Sequence, residues 1–141
     1  MEDICNDLDQ EQQALDAVVA GLSEDQWLTP TPAAGWDVKD TIVHLVQADM
    51  AAHLAVADAE RFAQAKANMA TRGFDGVFGT RGSRSGAEVL EWWRSERAGM
   101  LAAFRSRGPK DRIPWFGPDM STLSFATARL RGHPATEVRA L

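Results

Sequence analysis

Apolar positions along this chain recur three and four residues apart, the spacing of a helix face, and no stretch alternates with period two for more than a few residues. The first such run carries Ile4, Leu8, Leu15, Val18, Val19 and Leu22, with Gly21 and Ser23 near its end. The following segment, QWLTPTPAAGW, is rich in Pro, Thr and Gly, which predicts an irregular turn. Trp27 and Trp36 bracket that turn and are expected to pin it by burial. A second helix is predicted from Asp37, a good N-cap, with Asp40 adding a carboxylate to the positive first turn. Ile42, Leu45, Val46 and Val56 form its apolar side. The pattern lets this helix run on, or break near Asp58 and restart through Phe62 to Met69, with Gly73 as a C-terminal cap.

Residues 73–86, GFDGVFGTRGSRSG, hold five glycines and no helical period, which predicts a loop. The lysine that ends a phosphate-binding loop is absent, and no strand precedes the segment. Ser85 and Glu88 make a capping box. It opens a third helix, on which Val89, Leu90, Trp93, Met100, Leu101 and Phe104 keep the helical spacing until Gly108-Pro109. RIPWFGPDMS reads as a turn-rich connection anchored by Trp115 and Phe116. Ser121 then caps a fourth helix through Leu123, Ala126, Thr127 and Leu130, which Gly132 and Pro134 are expected to cut short. Four main helices joined by loops predict an all-α fold, an antiparallel four-helix bundle, in one domain over residues 1–141.

Composition changes little in that picture and removes some functions from it. Hydrophobic residues are 45% of the chain and charged residues 25%, as in an ordinary globular domain. The net charge of −5 argues against a nucleic-acid partner. The one clustered positive segment, Arg81, Arg84, Arg94 and Arg97 among Glu88, Glu91 and Glu96, reads as a solvated helix face. No apolar run approaches the roughly 20 residues that span a bilayer, so no membrane partner is expected. The acidic start MEDICNDLDQ lacks the apolar centre of a signal peptide. Cys5 is the single cysteine, which excludes an intramolecular disulfide and fits a reducing cytoplasm. It has no neighbouring His or Lys to lower its pKa, so it is not expected to be a nucleophile.

The candidate chemistry lies in the second helix, which holds two of the three histidines. His44 and His53 differ by about 900° of helical rotation, a half turn, so they face opposite ways and cannot share one metal. His44 shares its side with Thr41, Ala48, Ala51 and Ala55, whose small side chains leave room beside an imidazole. His53 lies nearer Ile42, Val46 and Asp49. Periodicity leaves open which side is the core.

Three strings together carry a resemblance: LTPTPAAGWDVKDTIVHLVQADMAA, EVLEWWRSERAGMLAAF and PWFGPDMSTLSFATARL. They are similar to the mycothiol-dependent maleylpyruvate isomerase family, and within it to actinobacterial DinB-like metal-binding proteins with a PWFGP-type motif. The resemblance implies a DinB-like bundle, often followed by a smaller second domain, which is expected to be absent here. It implies a divalent metal, zinc above others, that activates a small-molecule thiol such as mycothiol against an electrophilic substrate. The first family ligand is the His of an HL pair, which falls on His44-Leu45, with Thr41 or Gln47 placed to orient it. The family's other ligands, a Glu and a His four apart late in the fourth helix, fall on Gly132 and Thr136, in a stretch where residues 131–141 diverge. His133 is the nearby imidazole, so His44 and His133 are the candidate metal residues, with Glu137 four positions beyond.

Two functions follow from the resemblance. One is a metal-dependent thiol isomerase or transferase. The other is a non-catalytic binding or assembly module that kept the fold and lost the ion. A shortened fourth helix would expose an apolar groove. A second copy could cover it, giving a homodimer. A third option is a domain swap that reconstitutes the site with His133 or Glu137 from a partner chain.

Overall fold

The second predicted helix is apolar on nearly all sides, and a helix of that kind belongs in the middle of a fold. In the computed structural model, which describes residues 1–131, it does lie there. The chain forms α1 (Glu2–Ala20), α2 (Val38–Ala57), α3 (Ala59–Phe78), α4 (Gly86–Arg105) and α5 (Thr122–Arg131). A single 3-10 turn spans Gln26–Leu28, and two short strands, β1 (Arg112–Ile113) and β2 (Met120–Ser121), pair antiparallel before α5. The fold is all-α and of the DinB-like type. Gly132, His133, Pro134, Thr136 and Glu137 lie outside the described residues.

α4 runs along α2, α1 packs on α4 and α5, and α3 packs mainly on α2. The buried positions of α2 include Ile42, Val43, Leu45, Val46, Ala48, Ala51, Ala52, Ala55 and Val56, which together cover both of its sides. Two apolar clusters meet along it. One joins Leu15, Val19, Trp27, Ile42, Val46, Val89 and Trp93. The other joins Leu8, Val56, Phe62, Met100, Phe104, Ile113 and Phe125. Each such large side chain contributes about 1.5–3 kcal/mol by leaving water.

The predicted caps are in place. Asp37 and Asp40 exchange hydrogen bonds of 2.8 and 3.1 Å, and Ser85 and Glu88 do the same at 3.1 and 3.0 Å. The Ser121 hydroxyl accepts the Ser124 N–H at 3.1 Å. Of the two alternatives at Asp58, the break is the one observed: α2 stops at Ala57, and the Asp58 carboxylate accepts the Arg61 N–H to start α3. Gly86, the first residue of α4, is where Trp27 enters the core. A Cβ there would stand 2.4 Å from the indole.

Three local expectations are corrected. Gly73 does not end its helix. It takes φ +70°, bends α3, and the helix resumes to Phe78, so the loop begins only at Gly79. Trp27 is buried as expected, but Trp36 is 40% exposed. The arginines are not a solvated face. Arg94 and Arg97 of α4 both hold Asp16 of α1 at 2.8 Å, and Arg81 holds the start of α2.

Candidate functional site

His44 stands in the second turn of α2, where the preceding loop, the end of α3 and the loop after it converge. They enclose a pocket of about 420 Å³ lined by Trp36, Asp40, His44, Gln47, Phe74 and Arg81, among others. Trp36 meets the imidazole edge-on with centroids 5.3 Å apart, and Phe74 faces it at 6.5 Å. Phe74 in turn touches Phe78 at 4.9 Å and Phe116 of the PWFGP loop at 6.1 Å. The bend at Gly73 immediately precedes Phe74. Its positive φ is one that glycine adopts at little cost and other residues do not.

The polar groups of this pocket are already paired. Gln47, one turn beyond His44 and buried, donates to the Asp75 carboxylate and the Gly79 carbonyl, both at 2.6 Å, which ties the end of α3 to α2. Arg81 bridges Asp37 at 3.1 Å and Asp40 at 2.7 Å. Burial alone would raise the Asp40 carboxyl, but hydrogen bonds from Arg81 and Asp37 outweigh it and hold it below its ordinary value. His44 itself has ring contacts and no hydrogen bond to a described residue. The residue is exposed at the pocket mouth, and the partial desolvation of its ring there, reinforced by the positive charge of Arg129, lowers its pKa toward the neutral imidazole.

Arg129 is placed by a buried partner. The carboxylate of Asp49, on α2, accepts from Arg129 of α5 at 2.8 Å and from the Trp93 indole of α4 at 3.2 Å. Burial pushes the Asp49 carboxyl up, against the pull of Arg129 and Trp93. Three helices therefore meet on one buried carboxylate.

His53 points elsewhere, as the helical phase predicts. Its ring lies on Gly99 of α4, where a Cβ would come within 2.8 Å of it, and it borders a separate cavity of about 810 Å³. Cys5 is fully buried, and burial pushes its thiol up, which suits a core residue and not a nucleophile.

As a metal centre, the described residues supply one free donor. Among them, no three His, Cys, Asp or Glu stand close enough to hold an ion. Asp40 is committed to Arg81 and Asp75 to Gln47. His133 lies outside the described residues, so the pairing of His44 with His133 is not brought together here. Gln47 does line the pocket, but the Thr41 hydroxyl donates to the Asp37 carbonyl at 3.1 Å and does not orient the imidazole. Sequence reasoning missed Trp36 as a site residue, along with Phe74, Arg81, Asp49 and Arg129. Only Trp36, beside the cap of α2, carried a local signal.

Residues 8–133 match the family described as the mycothiol maleylpyruvate isomerase N-terminal domain. The chain belongs to this family. Two uncharacterized proteins, from two strains of Mycobacterium tuberculosis, are each 41% identical to it over 129 residues, covering 88% of this chain and 49% of theirs. The chain thus spans about half the length of the curated relatives it matches. No solved structure matches it. Within this mycothiol maleylpyruvate isomerase N-terminal domain, no described helix is long and apolar enough to cross a membrane.

Proposed function

We propose that this domain binds a small thiol of the mycothiol class in the pocket around His44, and that it works in the cytoplasm. The observation that carries this reading is the state of His44. Its pKa is lowered toward the neutral imidazole, its ring makes no hydrogen bond to a described residue, and it stands solvent-accessible between Trp36 and Phe74, while its polar neighbours are paired with one another. A neutral imidazole can accept a thiol proton or ligate a metal. In the thiol-binding role, a ring nitrogen of His44 takes the S–H proton, and the nearby Arg129 guanidinium favours the thiolate left behind. An electrophilic substrate would rest against the rings of Trp36 and Phe74.

The described donors do not fit a metal on their own. Catalytic zinc sites use three protein ligands and structural sites four, and His44 is one. A zinc site would need His133, Glu137 or another group from residues 132–141. That shortfall favours a second reading, a helical binding or assembly module without catalysis, with a second copy as one partner.

Calorimetric titration of mycothiol into chelator-treated protein separates the readings. Thiol binding that survives the chelator and weakens about tenfold or more in His44→Ala supports the proposal. Binding that returns only with zinc, in step with bound metal, replaces it with the metal-dependent reading. Absence of binding with and without zinc leaves the non-catalytic module.

A further inference from the structure

The cavity beside His53 belongs to no part of the function above, and it is the larger of the two. It exists because α3 leans on α2 and does not seal against α4. Residues of α2, with Met50, His53 and Leu54 among them, make its floor. Arg61, Gln64 and Asn68 make one wall; at spacings of three and four they share one face of α3. Glu96 of α4 stands on the other wall. At about 810 Å³ the space falls within the range of small-molecule sites.

Its chemistry is the reverse of the His44 pocket. The side chains of His53, Arg61, Gln64, Asn68 and Glu96 have no hydrogen-bond or ion-pair partner among the described residues. Arg61, Gln64 and Asn68 are solvent-exposed and Glu96 is half-buried. The arginines from Arg72 to Arg129 are hydrogen-bonded or ion-paired, whereas Arg61 and Arg131 have no such partner among the described residues. Arg61 and Glu96 border the cleft from different helices without meeting, and Asp58, whose carboxylate accepts the Arg61 N–H at the start of α3, borders it too. Gln64, Asn68 and the His53 imidazole also line it, and Met50, Leu54 and Ala57 give it apolar surface. The glycine at position 99, in mid-helix, costs roughly 1 kcal/mol relative to alanine. It leaves the space in which the His53 ring is seated.

We infer that the cleft between α3 and α4 is a second ligand site, and that it takes a small zwitterion of the amino-acid or dipeptide class. The carboxylate pairs with Arg61, which can grip it with two parallel hydrogen bonds. The ammonium pairs with Glu96, the peptide or carboxyl group reaches His53, Gln64 and Asn68, and an apolar side chain lies on Met50 and Leu54. This inference does not depend on the thiol reading, because it uses no residue of the His44 pocket.

The test is a titration of the intact chain with leucyl-leucine, followed through the imidazole resonances of its histidines. The expected result is a saturable shift at His53 with His44 unmoved. Arg61→Gln and Glu96→Gln should each weaken binding about tenfold or more, the loss expected for a hydrogen bond to a charged group. Both variants should keep the parent melting temperature. Acetylating the amine or amidating the carboxyl of the dipeptide should have the same effect as the matching variant. The inference is overturned if no saturable shift appears at His53, if the doubly blocked dipeptide binds as well as the free one, or if neither variant weakens binding.

Discussion

His44 and His53 sit on one helix, and the two regions around them differ in how their polar groups are satisfied. Near His44, Asp37, Asp40 and Arg81 form one network and Gln47, Asp75 and Gly79 another, so the walls are fixed and the imidazole is the group left over. Near His53, the charged and amide groups face a wider space unpaired. The first arrangement spends its polar groups on holding shape. The second leaves them to water or a ligand. Stability and binding should therefore separate between the two regions: substitutions that support the His44 side cost folding free energy, and those lining the cleft do not.

The largest contrast is expected at the carboxylates. Asp49→Ala removes the partner of a mostly buried guanidinium and should destabilise the fold by about 3 kcal/mol or more. Glu96→Gln should change it by less than about 0.5 kcal/mol. Urea denaturation of the two variants measures both, and equal losses would erase the distinction. The glycines come next. Gly86→Ala drives a methyl into the clamped Trp27 ring and should cost about 1–3 kcal/mol. Gly99→Ala meets only the His53 ring, which can swing into the open cleft, so its melting temperature should stay near the parent's while dipeptide binding falls. Arg81→Ala should cost about 1 kcal/mol, because its ion pairs are a third exposed. Hydrogen exchange should quicken in the first turn of α2 and not at its His53 end.

The smallest effect is expected from protons. The folded pKa of His44 lies below its ordinary 6.5, so the unfolded chain binds more protons in that interval. The stability tied to neutral His44 is complete above about pH 6.5 and falls as pH drops from there toward the folded pKa. His44→Gln should flatten this part of the stability profile and His53→Gln should not, as denaturant midpoints across the interval would reveal.

Helix starts were legible in the sequence because caps are local: Asp37 with Asp40 and Ser85 with Glu88 each close within one turn. The opposite phase of the two histidines was legible for the same kind of reason, a fixed rotation per residue. The end of α3 was not. Its glycines break the apolar period, and the helix past Gly73 is held by Gln47 from some thirty positions earlier. Which side of α2 faces the core was not legible because both sides do. The setting of His44 depends on Arg129, and Arg129 on Asp49 eighty positions away, a pairing that no spacing announces. The charged run at Arg94 and Arg97 misled for a similar reason, since its partner, Asp16, lies on a different helix.

The central claim is that the two sides of α2 are separate sites and that the thiol belongs to the side of His44. Titration of mycothiol into the whole chain, read at the histidine imidazoles, tests it most directly. The account predicts a saturable shift at His44 with His53 unmoved, and calorimetric binding that weakens about tenfold or more in His44→Gln. A shift at His53 with His44 silent would contradict it.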